Sequence, residues 1–160
     1  MRSVTSLGAL VSLLSTFDGR ISRLPWWIGV IVIICANLVG GALLNPEFYT
    51  AEELPPPNWP DTLWQIALLV PATAISVKRF HDINWPTWVG WLFGAVSLLF
   101  YLPPHFGMAI TPQAPALGAA IFWLAALIQL FVFIVNGFFR GTDGPNRYGP
   151  DPLDRTSTPS

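Results

Sequence analysis

Four long runs of apolar residues dominate this chain of 160 residues and leave little length for anything else. The runs cover residues 26–44, 62–77, 85–102 and 116–139. A helix that crosses the hydrocarbon core of a bilayer needs about 20 predominantly apolar residues, and all but the second run approach or reach that length. The pattern predicts an all-α, polytopic membrane protein built on a bundle of four transmembrane helices.

The composition supports a membrane setting. Hydrophobic residues make up 52% of the chain and charged residues only 11%, whereas about 25% of residues are charged in an average soluble domain. A transmembrane β-barrel would instead show segments of about ten residues in which apolar and polar side chains alternate. The apolar runs here are continuous, so helices are the predicted secondary structure.

The second run, 62–77, is short for a membrane span. Pro60 lies where the start of a helix favours proline, and the charged ends of Lys78 and Arg79 can reach the membrane surface. We therefore predict that this run also crosses the membrane and that residues 78–84 form a loop at its surface.

Positive charge is confined to one set of connections. The eight basic residues are Arg2, Arg20, Arg23, Lys78, Arg79, Arg140, Arg147 and Arg155. The connections at 45–61 and 103–115 contain no Lys or Arg. Because cytoplasmic connections are enriched in these residues, we predict a multi-pass protein of the inner (plasma) membrane with both termini in the cytoplasm.

The two ends of the chain differ from the predicted membrane domain, which covers residues 17–152. The sequence of residues 1–16 is consistent with two predictions, an amphipathic helix at the membrane interface or a disordered leader. The apolar residues at helical spacing in this segment are Leu7, Leu10, Val11 and Leu14. The small polar residues of segment 153–160 predict a disordered tail.

The interiors of the predicted spans contain no Asp, Glu, Lys, Arg or His. Proton relays and ion-coupled transporters depend on such groups, so these classes are disfavoured. Asn37, Gln65 and Gln129 are polar and can hydrogen-bond between helices. They can also line a route for a small solute, which leaves an uncoupled transporter or channel component as the alternative function.

A G-x-x-x-G motif, formed by Gly90 and Gly94, lies in the third run. Small residues at this spacing allow a second helix to approach closely. Ala36 and Gly40 have the same spacing in the first run, so we predict packing between these runs within one chain. A contact between two copies of the chain is the alternative.

His81 and Asp82 are the residues most suggestive of chemistry. A histidine titrates near neutrality and a carboxylate can orient it, so an enzyme that uses His81 as a base is one hypothesis. His105 is predicted on the other side of the membrane and Cys35 is the single cysteine, which leaves too few ligands for a usual zinc site. We predict no catalytic residue, metal or cofactor, and we favour a non-enzymatic role.

Three polar stretches are all predicted on the cytoplasmic side: FDGRISRLPWW (17–27), KRFHDINWPTW (78–88) and GTDGPNRYGPDP (141–152). Together they can form one binding face, whose predicted residues are Arg20, Arg23, Lys78, Arg79, His81, Asp82 and Arg147. Anionic headgroups attract basic side chains by about 1 kcal/mol each. The predicted partners are therefore anionic membrane lipids or a membrane or cytoplasmic protein, but not nucleic acid.

At these stretches the chain resembles the bacterial inner-membrane family catalogued as domain of unknown function 805. The first matches a Phe-x-Gly-Arg-x-Ser-Arg element before an aromatic-Trp pair. The second matches a basic-Arg-aliphatic-His-Asp element, with Phe80 in the aliphatic place. The third matches Gly-Thr-x-Gly-Pro-Asn-Arg-aromatic-Gly-x-Asp-Pro. The resemblance implies a four-helix protein of the inner membrane and no established biochemical role. The chain departs from the family at residues 84–88, where it lacks a cation and a glycine that members usually have.

Overall fold

The computed structural model describes residues 7–51 and 56–154, without the side chain of Tyr49. These residues contain five α-helices and no β-strand. The helices are α1 (Leu7–Ser15), α2 (Arg23–Leu44), α3 (Trp59–Asp82), α4 (Thr87–Tyr101) and α5 (Ala116–Phe138). Short 3-10 helices at Pro46–Tyr49 and Pro103–Phe106 lie in two of the connections. For the described part of the chain, the prediction of an all-helical protein is confirmed.

The central helix is α3, which packs against each of the other four. Asn58 caps its beginning by accepting a hydrogen bond from the backbone N–H of Asp61, as N-cap asparagines do. Residues 73–82 are all buried. Because the helix continues through Asp82, the prediction of a loop that starts at Lys78 is wrong. The helix ends only where Asn84 adopts a left-handed conformation with φ of 59°, which asparagine tolerates.

Two of the described helices, α2 and α5, are long and apolar enough to cross a membrane. Helix α4 is also apolar but has 15 residues, fewer than the ~20 that a straight span needs. Helix α3 has 24 residues, but polar and charged side chains occupy both of its ends. The outer faces of α2 and α5 are apolar and exposed, as at Leu38 and Leu127.

The two glycines of the G-x-x-x-G motif place α4 directly against α3. A Cβ atom added at Gly90 would lie 2.8 Å from the Cα atom of Val77, and one at Gly94 would lie 2.6 Å from Oγ1 of Thr73. No side chain fits at either position unless the helices separate. The close approach therefore occurs within one chain.

The predicted partner of this motif on the first long helix, α2, is wrong. Gly40 of α2 lies instead against the indole ring of Trp64 from α3. The indole Nε1 of Trp64 donates a hydrogen bond to the carbonyl of Ala36 at 3.3 Å. Gly40 of α2 thus makes room for a large side chain, whereas Gly90 of α4 makes room for the backbone of α3 and Gly94 for the side chain of Thr73.

The N-terminal helix α1 has an apolar surface that faces in two directions. Leu10, Leu13 and Leu14 pack on the core cluster that includes Trp26, whereas Leu7 and Val11 are exposed. Residues 1–6 of the predicted leader and residues 155–160 of the predicted tail lie outside the described part of the chain.

A candidate functional site at the end of the bundle

Asp82, the last residue of α3, is bound by two arginines. Its Oδ1 atom accepts hydrogen bonds from Nε and Nη2 of Arg20, at 3.2 and 3.1 Å, and its Oδ2 atom accepts one from Nη1 of Arg79. The side chains of Arg20, Arg79 and Asp82 are 1%, 0% and 5% exposed. Burial raises the pKa of Asp82, while the charge of Arg79 and the hydrogen bond and charge of Arg20 oppose that shift.

Arg20 also binds the backbone of the C-terminal tail. Its Nη1 atom donates to the carbonyl of Gly144 at 2.7 Å, and its Nη2 atom donates to the carbonyl of Thr142 at 2.7 Å. A third carbonyl, that of Gly149, lies 3.3 Å from Nη1. One side chain from the first polar stretch therefore holds both the middle stretch and the tail.

Arg79 is placed at the C-terminal end of α5. Its Nε atom donates to the carbonyl of Asn136 at 2.8 Å, and its Nη2 atom donates to the carbonyl of Phe139. The last carbonyls of a helix lack partners within the helix and carry partial negative charge. Two arginines face one carboxylate here, and these carbonyls offset the second positive charge.

Lys78 donates to the last carbonyls of α1, as Arg79 does to those of α5. Its Nζ atom donates to the carbonyls of Ser12 and Leu13, at 3.0 and 2.6 Å, and contacts Oγ1 of Thr16 at 3.3 Å. Burial lowers the pKa of Lys78 to about 8, against the opposing charge of Asp18. The ammonium group thus fixes the N-terminal helix to the end of α3.

Both ring nitrogens of His81 are engaged. Nδ1 lies 3.0 Å from the carbonyl of Gly19, and Nε2 lies 2.8 Å from Oγ1 of Thr87. Because a carbonyl only accepts, Nδ1 carries the hydrogen, and the Nε2 of a neutral imidazole accepts from the threonine hydroxyl. Burial lowers the pKa of His81, which favours this neutral form.

The C-terminal tail supplies donors to the end of α3. The backbone N–H of Thr142 donates to the carbonyl of Asp82 at 2.8 Å, and Nδ2 of Asn146 donates to the carbonyl of His81 at 2.9 Å. A Cβ atom added at Gly141 would collide with the carboxylate of Asp82. The segment 141–152 therefore packs back on the end of the bundle.

We call the buried side chains at this end the ionic cluster: Arg20, Lys78, Arg79, His81 and Asp82. These are five of the seven residues predicted to form a binding face, and the structure brings all seven to one end of the bundle. Of these seven, only Arg23 and Arg147 are exposed. Backbone carbonyls and side chains from distant parts of the chain surround the five cluster residues, and their role in binding stays a prediction.

The sequence prediction missed several residues of this site. Arg140 is exposed and pairs with Asp143 at 2.8 Å. Thr142, Asn146 and Tyr148 of the tail contact the end of α3. The third polar stretch was the signal that could have identified these tail residues. It is rich in hydrogen-bond donors, and the last carbonyls of a helix such as α3 need donors from elsewhere.

The polar residues proposed to line a solute route do not share one cavity. Asn37 and Gln65 are 2.5 Å apart at their amide groups and line a cavity of about 280 Å³ at the far end of the bundle. Gln129 donates to Ser97 at 2.6 Å and lines a separate apolar cleft. Within the described residues, no three His, Cys, Asp or Glu side chains are grouped so that they could hold a metal ion.

The apolar helices and the ionic cluster at their end define a helical membrane protein in which three polar stretches contact one another at one end of the bundle. Sequence comparison agrees with this class. The chain belongs to the family of proteins of unknown function DUF805, whose match covers residues 14–150. The resemblance seen in the three polar stretches is thus confirmed.

Three similar proteins are found in Escherichia coli K12. The inner membrane protein YhaI is 29% identical over 85% of this chain and 85% of the relative. The uncharacterized protein YiiR is 28% identical over 88% of both chains, and the inner membrane protein YhaH is 27% identical over 85% of this chain and 86% of the relative. No solved structure matches the chain.

Proposed function

We propose that this protein is a non-enzymatic scaffold or accessory protein of the bacterial inner membrane, and that its cytoplasmic end binds anionic lipid headgroups. The observation that carries the proposal is the division of charge at the end of the bundle. The ionic cluster is buried and internally hydrogen-bonded, whereas Arg23, Arg140 and Arg147 are exposed around it.

The proposal includes a bundle in which α2, α3, α4 and α5 all cross the membrane. A helix of 24 residues, such as α3, is about 36 Å long, which exceeds the hydrocarbon thickness of about 30 Å. Its charged end is surrounded by other helices instead of lipid. Tyr101, at the end of α4, lines the same cavity as Asn45 and Asp61, so α4 extends over most of the height of α3.

The distribution of charge supports a cytoplasmic position for the ionic cluster. The described arginines and Lys78 all lie in the three polar stretches or, for Arg140, directly before the third, whereas the described parts of the opposite connections contain only acidic charges, at Glu47 and Asp61. Cytoplasmic connections are the ones that are rich in Lys and Arg. Both ends of the described chain then face the cytoplasm.

The exposed arginines are suited to phosphate. Arg140 is 77% exposed and its partner Asp143 is 81% exposed, and such surface pairs contribute only about 0–1 kcal/mol. A guanidinium group binds phosphate with paired hydrogen bonds. An anionic headgroup can therefore compete for Arg140 and approach Arg23 and Arg147 at little cost.

The state of the ionic cluster argues against catalysis. Both nitrogens of His81 have partners, and both oxygens of Asp82 are bound by arginines. A general base needs a free acceptor within reach of a substrate. Similarly, the separation of Asn37 and Gln65 from Gln129 gives the transport alternative no continuous polar route.

Lipid retention in native mass spectrometry tests the proposal. Replacing Arg23, Arg140 and Arg147 together by alanine is expected to weaken binding of phosphatidylglycerol by on the order of 100-fold, since each contributes about 1 kcal/mol. The matched control replaces the same residues by lysine, which keeps the charge and most of the binding. Equal retention by the alanine variant and the natural protein would overturn the lipid proposal. Loss of a co-purifying protein instead would favour a protein partner for this face.

A further inference from the structure

An apolar cleft of about 430 Å³ lies between α2 and α5, with α3 as its floor. Its walls include Val30 and Ile33 from α2, Ala72 and Ile75 from α3, and Phe133 from α5. None of the residues that line it is charged. Ligand sites in proteins have volumes of about 300–1,000 Å³ and are mainly apolar with a few polar groups, so the cleft has the size and lining of a binding site for an apolar chain.

Two of the side chains that line the cleft each carry a buried polar atom without a partner. The indole Nε1 of Trp26 and the amide Oε1 of Gln129 are buried and have no hydrogen-bond partner among the described residues. Both side chains line the cleft, and Trp26 is 3% exposed. Buried polar groups in native proteins nearly always have a partner. An indole N–H can only donate, so its missing partner is an acceptor such as an ester carbonyl.

The exposed arginines lie at the end of the cleft next to Trp26. Arg23 precedes Trp26 by three residues in α2 and is therefore its neighbour on the helix surface. Its Nη1 atom lies 3.5 Å from the carbonyl of Phe138 at the end of α5. Arg23 and Arg140 line one small cavity of about 50 Å³, which Asp82, Asp143 and Asp151 also line. Asp143 is paired with Arg140, and Asp82 with Arg20 and Arg79. A cationic group, a buried donor and the apolar cleft thus follow one another along α2, at Arg23, Trp26 and Val30.

We infer that this cleft holds one acyl chain of an anionic phospholipid, with the lipid phosphate on Arg23 and Arg140 and an ester carbonyl on the indole N–H of Trp26. The order of groups in a glycerophospholipid, from phosphate through ester to hydrocarbon, is the order of the three features. The inference rests on the proposed function and deepens it, because it adds a defined chain site to a headgroup contact. The hydrocarbon offers no partner to Gln129, so Trp26 is the residue that selects the ester.

A substitution that fills the cleft tests the inference. Ala72→Phe places a ring in the cleft, whereas the matched control Ala67→Phe adds the same ring to an exposed position of the same helix. Retention of phosphatidylglycerol is measured by native mass spectrometry. We expect retention to fall at least fivefold in Ala72→Phe and to be unchanged in Ala67→Phe. Trp26→Phe, which removes the donor without filling the cleft, is expected to lower retention about threefold and serves if Ala72→Phe does not fold.

The outcomes separate the inference from the proposed function. If Ala72→Phe and Trp26→Phe retain phosphatidylglycerol like the natural protein while the triple alanine variant loses it, headgroup binding stands and the chain site is overturned. If glycerol phosphate displaces the lipid as effectively as intact phosphatidylglycerol does, the chain contributes nothing and the inference also fails. Loss of lipid in Ala72→Phe with full retention in the triple alanine variant supports the chain site and overturns the proposed headgroup contact.

Discussion

The imidazole ring of His81 and the phenol ring of Tyr148 lie face to face, with centroids 3.7 Å apart and planes inclined by 7°. His81 is in the last turn of α3 and Tyr148 is in the C-terminal tail. The guanidinium carbon of Arg147 lies 4.7 Å from the centroid of the same phenol ring. The tail is therefore held by ring stacking as well as by hydrogen bonds to the end of α3.

Tyr148→Leu is expected to loosen the tail. Stacked aromatic pairs contribute about 0.5–1.5 kcal/mol beyond their buried area, so hydrogen exchange in residues 141–152 should accelerate several-fold. Tyr148→Phe keeps the ring and should exchange like the natural protein. If leucine and tyrosine give the same exchange rates in this segment, the stacking does not hold the tail.

Asp82→Ala is expected to lower the free energy of unfolding by ~3–5 kcal/mol, because it leaves two buried guanidinium groups without their carboxylate. Asp143→Ala removes an exposed ion pair and should cost no more than about 1 kcal/mol. Unfolding in mixed detergent micelles measures both variants. Equal losses in the two would contradict a buried cluster around Asp82.

The neutral state of His81 predicts a dependence of stability on pH. Burial lowers the pKa of His81 below its ordinary value of 6.5, so the unfolded chain takes up a proton before the folded protein does. The contribution of neutral His81 to the free energy of unfolding is therefore present above about pH 6.5 and is lost as the pH falls below that value. Unfolding at pH 7.5 and pH 5.5 measures the loss, which should be smaller in His81→Gln.

The matched control for this measurement is His105→Gln, which changes the other histidine and leaves His81 in place. This variant should keep the acid-dependent loss that His81→Gln reduces. A loss of the same size in the natural protein and in His81→Gln would show that the folded protein does not keep His81 neutral.

Lys78→Met is expected to release α1. The thioether cannot donate to the carbonyls of Ser12 and Leu13, which the ammonium group of Lys78 binds. Leu13 is buried, so a cysteine at this position in a Cys35→Ala background should react several-fold faster with a thiol reagent once α1 separates. Lys78→Arg keeps a donor and should preserve protection. Unchanged reactivity in Lys78→Met would mean that apolar packing alone holds α1.

The long apolar helices were predictable from local sequence patterns, but the ionic cluster was predictable only in part. Continuous apolar runs identified the long helices because a helix satisfies its own backbone hydrogen bonds within the run. Four titratable residues within 78–82 resemble a solvated loop, and nothing in that segment reveals that Arg20 and the tail will enclose it. The partners of Asp82 come from the first and third polar stretches, so only the assembled fold shows that this segment is buried.

The partner of the glycine motif was unpredictable for a similar reason. The spacing of Gly90 and Gly94 indicates a close helix contact, but it does not say which helix approaches. Thr73 and Val77 of α3 occupy that place, although Val77 is not one of the small residues that a matching motif would have. The central position of α3 in the bundle decides the pairing.

The central claim is that the three polar stretches meet on one side of the membrane, in the cytoplasm. Single cysteines at the exposed positions Asn84, Asp143, Glu47 and Gln113, in a Cys35→Ala background, can be labelled in whole cells with a membrane-impermeant thiol reagent. We expect positions 47 and 113 to react in cells with a permeable outer membrane, and positions 84 and 143 to react only after the inner membrane is opened. Reaction of position 84 or 143 in cells with an intact inner membrane would contradict it.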